Sequence, residues 1–318
     1  MRNERYRSKK RRSSWWKVLT VFVLLLAAGG GVYAYSMYNS LTTAVDTMHQ
    51  PIKRMKSEKR VDEIVLEQQD PFSVLLLGVD ERADDKGRSD TIIVLGVNPN
   101  TNSIKMVSIP RDTRTEIIGR GKEDKINHAY AFGGVEMSMN TVENFLDIPI
   151  DYFVQINMEG FKDIVDSVGG VTVANDLKFS VDEHQFATGK IALNGAEALA
   201  FSRMRYEDPR GDFGRQLRQR MIIEGIIKKG ASLSSLANYK QIFTVLGKNV
   251  RTNLTFDEMV DIQSNYKDAA SHVAQIDMKG KNAEIDETFY LIVTEEERLR
   301  VQQELKEQLG LIAAEAGV

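Results

Sequence analysis

The sequence predicts an α/β fold in which helices cover both faces of a mixed central β-sheet (αβα), with one transmembrane helix before it. Three observations lead to this prediction: an uncharged apolar stretch near the N-terminus, a strand of the buried type, and helices that alternate with strands after one hairpin. The 318 residues are 42% apolar and 27% charged and include no Cys, which excludes collagen, wholesale disorder and thiol chemistry.

The N-terminus predicts a membrane anchor. The first 17 residues hold eight basic residues against one acid, so a chain with a net charge of −3 carries −10 over its remainder. No charged residue occurs from Val18 to Val45, and Trp15, Trp16 and three tyrosines flank the apolar part. About 20 apolar residues span a bilayer as a helix, and preceding cations keep the N-terminus in the cytoplasm.

This pattern divides the chain into four parts. We predict a cytoplasmic basic tail at 1–17, a transmembrane anchor at 18–38, a juxtamembrane stalk at 39–70 and an extracellular domain at 71–312. The chain would then be a single-pass type II protein of the cell membrane. A cleaved signal peptide is the alternative, and it also places the domain outside the cytoplasm. A basic arm that binds nucleic acid is disfavoured by the adjoining apolar run.

The domain begins with strands. Phe72–Val79 is a near-continuous apolar run, typical of a strand covered on both faces. Strands at 91–97 and 103–109 are separated by Asn98–Asn102, whose Asn and Pro residues predict a hairpin turn. Further on, apolar spacing predicts helices at 133–146, 161–168, 213–229, 256–270 and 295–309, and strands at 151–158 and 271–278.

Three helix starts carry capping signals. Asp212 stands where it could cap the helix at 213–229. Thr255 with Glu258, and Thr294 with Glu297, have the T-x-x-E spacing of capping boxes.

Several well-known kinds of catalytic site lack sequence support. The P-loop, the dinucleotide G-x-G-x-x-G, the G-x-S-x-G elbow and the H-E-x-x-H zinc motif do not occur. The four histidines lie far apart along the chain. Carboxylates and guanidinium groups are therefore the candidates for site chemistry.

Two carboxylates predict a magnesium site. Asp80 ends the buried strand, where ligands of open α/β sheets bind, and Asp90 opens the next strand. Two oxygen ligands with room for water and phosphate suit Mg²⁺. The alternative is that Asp80 caps a loop and Asp90 is a turn residue. A second charged group, Arg111 with Asp112, follows the next strand and precedes Lys125, and a surface ion pair is its alternative interpretation.

Arginine is concentrated between residues 203 and 220, where six Arg and no Lys occur. Arg presents a planar fork of donors that matches phosphate and keeps its charge when desolvated. Arg203 and Arg205 would share a face of an extended segment, and Arg215 and Gln219 lie one helical turn apart. Salt bridges to nearby acids could account for some of these residues. The bias towards Arg nevertheless favours a phosphate site.

Several motifs together resemble the LytR-CpsA-Psr family, and within it the Gram-positive teichoic acid transferases. They are G-V-D-E-R, R-S-D-T, S-I-P-R-D-T, K-I-N-H-A-Y, L-N-G-A-E-A-L-A-F-S-R-M-R and G-D-F-G-R-Q-L-R-Q, all between residues 72 and 230. One departure is Arg114-Thr115, where some members carry the second Arg one position later. No motif is placed in residues 231–318.

The resemblance implies an enzyme, a phosphotransferase of the cell wall. It would move an anionic glycopolymer such as wall teichoic acid from undecaprenyl pyrophosphate to the C6 hydroxyl of N-acetylmuramic acid in peptidoglycan, with Mg²⁺ as cofactor. Asp80 and Asp90 match the metal-binding carboxylates. The residues that match the pyrophosphate-contacting set are Arg88, Arg111, Lys125, Arg203, Arg205, Arg215 and Gln219. The expected catalytic residues are Asp80, Arg88, Arg111, Arg203 and Arg205.

Two other functions stay open at this point. One is a non-catalytic regulator that binds polyprenyl phosphates, and the other is a lipid-pyrophosphate pyrophosphatase that uses water as acceptor. In each case a polyprenyl tail requires an apolar groove, expected between the sheet and the helices of residues 133–170. Phe132, Phe145 and Phe153 could line it, although core packing is the better explanation for any one of them.

Overall fold

The computed structural model describes most of the chain from residue 35 onward. Outside the description are residues 1–34, 37, 40, 44, 55, 81–86, 233–245, 248 and 313–318. The predicted basic tail and residues 18–34 of the predicted anchor therefore lie outside the described residues. Within the described part, no helix combines the length and the apolar content that a membrane crossing needs.

The strands and helices are numbered here in chain order. The strands are β1 (Phe72–Val79), β2 (Ser89–Asn98), β3 (Ser103–Ser108), β4 (Arg114–Ile117), β5 (Lys122–Lys125), β6 (Tyr152–Ile156), β7 (Val171–Asn175), β8 (Phe179–Val181), β9 (His184–Phe186), β10 (Gly189–Leu193), β11 (Val250–Thr252), β12 (Val273–Ile276), β13 (Lys281–Ile285) and β14 (Thr288–Ile292). The helices are α1 (His128–Leu146), α2 (Met158–Ser167), α3 (Gly195–Arg203), α4 (Asp212–Ala231), α5 (Phe256–Asn265) and α6 (Glu295–Gln308).

A mixed sheet of six strands forms the centre of the fold, in the order β11, β6, β1, β2, β3, β12. Neighbours β1–β2, β2–β3 and β6–β11 are antiparallel, whereas β1–β6 and β3–β12 are parallel. The predicted hairpin is confirmed between β2 and β3, where Asn98 Oδ1 accepts from the N–H groups of Asn100 and Thr101. Asn102 closes this turn with φ 46°, a conformation that Asn tolerates better than most residues.

Helices cover both faces of this sheet, as predicted. On one face, Leu75 and Phe153 of the strands pack with Leu146 of α1 and Leu305 of α6. On the other, strand residues pack with α5 and with Ile223 and Ile227 of α4. A smaller lobe beside the sheet, formed by β7–β10 with α2 and α3, has its own core. The αβα arrangement places α4 between the sheet and this lobe.

The helix ends agree with the capping signals in part. Thr255 and Glu258 form the predicted reciprocal capping box. Thr294 accepts from the Glu297 N–H, but the Glu297 carboxylate bonds the backbone N–H of Lys279 instead of closing the box. The prediction for Asp212 is wrong. It is the first residue of α4, and Gly211, at φ 57°, is the N-cap. That positive φ favours glycine over a side-chain cap.

Part of the segment predicted as a stalk packs against the domain. Val45 and Met48 join Leu246 and Val250 in a small apolar cluster. Further along, Arg60 Nη2 lies 2.7 Å from Asp151 Oδ2, and both side chains are largely buried. Leu66 enters the core of the sheet. These contacts join the segment from residue 45 onward to the domain. The role of this segment as a juxtamembrane stalk stays a prediction.

Asp147, the residue that follows α1, should make the stability of the fold depend on pH. Lys306 and Lys59 bond the carboxylate of Asp147 and lower its pKa to about 2. Because the folded pKa is depressed, the pairs stabilise the fold above the ordinary value of 3.8 and lose this effect as pH falls towards 2. Asp147→Asn should lower the free energy of unfolding by at most about 1 kcal/mol at pH 7, since these pairs are partly exposed.

Urea unfolding of both proteins from pH 7 down to pH 3 measures this difference, which should shrink with acidification. A difference that stays constant over this range would contradict the assignment.

Candidate functional site

The first pair of predicted carboxylates lies at one end of β1 and β2. The register between these strands shifts at Gly78 and Val79, which leaves Asp90 as the extra residue of a β-bulge. Bulges re-aim side chains and are frequent next to active sites. Asp80 directly follows β1, and its N–H faces the Arg88 carbonyl at 3.5 Å. Asp80, the exposed Arg88 and Asp90 therefore occupy the same end of the sheet.

Arg111 links the predicted charged group, Arg111 with Asp112, to the predicted carboxylate Asp90. Its Nη1 donates to Asp90 Oδ1 at 2.6 Å, and its Nε lies 3.7 Å from Asp112 Oδ2. Burial lowers the pKa of Arg111, but the bond to Asp90 and the nearby Asp112 and Asp212 carboxylates together raise it above its ordinary value. The predicted surface pair with Asp112 is thus only part of the arrangement, because Asp90 on the neighbouring strand also holds Arg111.

Lys125 occupies a different part of the site. Its Nζ bonds Asp112 Oδ1 at 2.8 Å and lies 5.8 and 6.0 Å from the ring centroids of Phe289 and Tyr290. The hairpin β13–β14 is held there by a bond from the Leu291 N–H to the Asp112 carbonyl. Sequence reasoning missed this hairpin, since no motif marks it. Lys125 does not line the cavity described below.

The six arginines of residues 203–220 divide into two groups. Four are paired with carboxylates, as the salt-bridge alternative expected: Arg210 with Asp176 and Asp208, Arg215 with Asp212, Arg218 with Asp208, and Arg220 with Asp277. The other two are Arg203 and Arg205. Arg203 ends α3 and is exposed, Arg205 is exposed two residues later, and Arg215 is partly buried in α4. Four of the six arginines therefore form ion pairs within the described part of the fold, and one of these four, Arg215, also lines the cavity described next.

Arg203 and Arg215 stand at the mouth of a cavity of about 150 Å³. Asp90 and Gln219 also line this mouth. The interior is apolar and lies between the sheet and helices α2, α3 and α4. Its lining side chains include Leu76, Ile156, Phe161, Ile164, Leu199, Ile223 and Ile226. One cavity thus combines an apolar interior with a charged entrance.

The expected groove residues need a correction. The cavity borders α2, within the region 133–170, but Phe132, Phe145 and Phe153 do not line it. Phe145 and Phe153 lie in the core on the opposite face of the sheet. Phe132 is 36% exposed and packs under the Arg120 guanidinium, 4.2 Å from its ring centroid. Core packing explains the first two, and aliphatic side chains of α2 and α4 replace them in the cavity.

A second, smaller recess lies beside the mouth, between the end of the sheet and α4. Asp90, Ser108 and Arg111 from the sheet line it together with Arg215 and Gln219 from α4. The Nε atoms of Arg111 and Arg215 and the Ser108 hydroxyl are buried and make no hydrogen bond among the described residues. Buried polar atoms are normally bonded, so these three are exceptions among the described residues, and they lie together at the site.

Asp80 and Asp90 also fit the donor chemistry of a magnesium site. Both supply hard carboxylate oxygens at one end of the sheet, and Mg²⁺ takes few protein carboxylates and keeps waters or phosphate oxygens as its other ligands. The described residues contain no cluster of three or more His, Asp or Glu that could hold a metal without such help. Asp90 already accepts from Arg111 through Oδ1.

A model of the LytR_cpsA_psr family matches residues 35–307. The chain belongs to the LytR-CpsA-Psr family. Within this family, the motif residues that match its site fall at the sheet end, at the segment after α3 and on α4. Their individual contacts to pyrophosphate and to metal stay predictions.

Two relatives from Bacillus species are similar to this chain over most of its length. The TagU polyisoprenyl-teichoic acid–peptidoglycan teichoic acid transferase of Bacillus cereus is 54% identical over 280 residues, which cover 88% of this chain and 92% of that protein. The enzyme of the same name from Bacillus subtilis is 52% identical over 309 residues, 97% of this chain and 99% of its own length. These similarities identify the chain as an enzyme of the transferase class.

The solved structure described as TagT bound to LIIa-WTA superposes with a TM-score of 0.71 at 32% identity. It covers 82% of this chain and 100% of that one.

Proposed function

We propose that this transferase attaches wall teichoic acid, or a similar anionic glycopolymer, to peptidoglycan from a polyprenyl pyrophosphate carrier. The observation that supports this most is the cavity, which has an aliphatic interior and carries Arg203, Arg215 and Gln219 at its mouth. A donor with an apolar tail and an anionic head matches this pattern in both parts. The names of the curated relatives support a teichoic acid as the transferred group.

In the proposed complex, the tail carbons nearest the head occupy the cavity and the pyrophosphate lies at its mouth. Arg203 and Arg215 come from two different helices, so together they can neutralise a group that lies between them. Arg is suited to this task because its fork of donors binds phosphate oxygens in pairs. Arg111 and Arg205 extend the cationic surface beside them. The carrier is proposed to be undecaprenyl pyrophosphate.

The transfer exchanges one phosphorus–oxygen bond for another. The C6 hydroxyl oxygen of N-acetylmuramic acid attacks the phosphorus that carries the glycan, and the bond from that phosphorus to the bridging oxygen breaks. The bridging oxygen keeps the electron pair and leaves as polyprenyl phosphate, while the hydroxyl proton passes to solvent or to Asp80. Because charge develops on the leaving phosphate, preorganised guanidinium groups stabilise the transition state more than the ground state.

Asp80 and Asp90 would hold the proposed Mg²⁺. When bound, the ion would neutralise charge on the phosphate oxygens. Asp90 also orients Arg111, which keeps one cation of the protein beside this position. On the proposed topology, the N-terminal anchor holds this site at the outer surface of the cell membrane, where the lipid-linked donor and peptidoglycan are both present.

A transfer assay with the full chain in detergent micelles tests the proposal. It would contain a lipid-pyrophosphate glycan as donor, peptidoglycan oligomers as acceptor and Mg²⁺. We expect glycan bound covalently to the oligomers and an equal amount of polyprenyl phosphate. Release of phosphorylated glycan whether or not acceptor is present would indicate a pyrophosphatase instead. A donor that binds but is never consumed would indicate a regulator.

A bulky substitution in the cavity should weaken donor binding in proportion to tail length. Ile226 lines the cavity on α4, and Ile226→Trp would fill part of a space of only about 150 Å³. Losing the burial of two methylene groups, at about 0.8 kcal/mol each, costs about tenfold in affinity. Titration calorimetry with prenyl pyrophosphates of increasing length measures this loss. Inorganic pyrophosphate, which has no tail, is the control and should bind equally to both proteins. A variant that binds the long prenyl pyrophosphates as tightly as the parent chain does would contradict the cavity assignment.

A further inference from the structure

The segment of residues 204–211 joins α3 to α4 and lies between the two helices that carry the arginines of the cavity mouth. Met204 is extended and 3% exposed, in the core of the small lobe. Arg203, the last residue of α3, and Arg205 flank this buried residue, and both are exposed. The position of this segment decides where these two guanidinium groups lie.

A buried carboxylate fixes the segment from inside. The side chain of Asp208 is fully buried, and Arg210 donates to it from its backbone N–H, from Nε and from Nη2 at 2.9–3.0 Å. Arg218 of α4, which is almost equally buried, donates to Asp208 Oδ2 from Nη1 at 2.6 Å. The other nitrogen of Arg218, Nη2, donates to the Met204 carbonyl at 2.5 Å. One guanidinium thus joins the start of the segment to its middle.

The fit around this carboxylate is close. A Cβ atom at Gly214, in the first turn of α4, would lie 1.9 Å from Asp208 Oδ2. Burial alone would raise the pKa of Asp208, but the bonds from Arg210 and Arg218 lower it to about 2, so the carboxylate is ionised at any physiological pH. A buried ion pair is a weak source of net stability, but losing one partner leaves the other charge uncompensated.

We propose that Asp208 is a positioning residue for the transfer reaction: through Arg218 it holds the segment 204–211 so that Arg203 and Arg205 face the donor's pyrophosphate. This inference rests on the proposed function. Asp208 is buried beneath the segment and does not line the cavity. It acts on the donor only through the arginines, and a misplacement of about 1 Å at such groups can cost up to about 100-fold in rate.

The test compares Asp208→Asn with the parent chain in detergent micelles, using geranyl pyrophosphate for binding and the transfer assay for rate. We expect the Kd for geranyl pyrophosphate to rise and kcat/KM for the donor to fall by about 10- to 100-fold. The KM for the acceptor should not change. Asp147→Asn is the matched control, because Asp147 also bridges two cations with a pKa of about 2 but lies on the opposite face of the sheet. It should change donor affinity less than about twofold.

A double-mutant cycle separates positioning from general stability. If Asp208 acts by placing Arg205, adding Asp208→Asn to Arg205→Ala should weaken donor binding by much less than the single change does in the parent chain. Full additivity of the two losses would overturn the proposal, as would an Asp208→Asn variant with parental Kd and kcat/KM. Should Asp208→Asn fail to fold, Gly214→Ala decides, since it keeps both charges and displaces the carboxylate. Parental donor binding by Gly214→Ala would then refute the proposal.

The same experiments distinguish this inference from the proposed function. A parent chain that neither binds geranyl pyrophosphate nor transfers glycan overturns the proposed function and this inference with it. A parent chain that does both, with variants that behave like it, overturns the inference alone.

Discussion

Arg203→Ala should reduce glycan transfer by about a thousandfold while leaving the fold intact, which is the size of loss expected when a preorganised donor to a developing oxyanion is removed. Arg203 is exposed at the end of α3, and no carboxylate pairs with it in any described ion pair. Its removal therefore breaks no salt bridge of the fold. Arg205→Ala should behave in the same way, since Arg205 is exposed two residues after Arg203.

The transfer assay at saturating donor and acceptor measures this loss, and the melting temperature checks the fold. Arg300→Ala provides a matched control, because Arg300 is a partly exposed arginine of α6 that pairs with Glu297 and Glu304 on the far side of the sheet. It should transfer glycan at the parental rate. Normal turnover by Arg203→Ala and Arg205→Ala would refute the site assignment.

Asp80→Asn should reduce transfer by at least about 100-fold and remove the response of the remaining activity to Mg²⁺. The substitution keeps the size of the side chain but replaces a charged oxygen with an amide nitrogen, which cannot bind a cation. Asp90 also holds Arg111, so its loss would disturb two groups at once.

Rates measured over a titration of Mg²⁺, with EDTA as the zero point, show the difference. The parent should lose activity in EDTA and regain it with Mg²⁺, whereas Asp80→Asn should stay low at every concentration. A chain that only binds polyprenyl phosphates has no need of the metal. Parental transfer and parental Mg²⁺ response in Asp80→Asn would contradict the magnesium proposal.

Local sequence signals predicted the main elements of the fold well. The apolar run of β1, the Asn-rich turn between β2 and β3 and the capping box at Thr255 depend on neighbouring residues, so the sequence shows them directly. The short strands β7–β10 of the small lobe were not predicted. Strands of three to five residues contain too few side chains to show a period.

The sequence predicts which residues are candidates for the site, but it predicts little of how they are arranged. Runs such as S-I-P-R-D and R-M-R identify candidate groups, yet the sequence does not show which arginines are paired inside the protein. Asp208 and Arg218 look like two more charged residues near the motif, and only their burial shows that they support it. The bulge at Asp90 and the contact between Lys125 and the β13–β14 hairpin depend on pairings over long sequence distances. Such pairings are set by tertiary packing and leave no local signal.

The most direct test of the account is a crystal structure of the protein with a prenyl pyrophosphate bound. The account predicts the diphosphate within hydrogen-bonding distance of Arg203 and Arg215, and the prenyl chain between Ile164 of α2 and Ile223 of α4. A diphosphate bound elsewhere, with this cavity closed or empty of the prenyl chain, would contradict it.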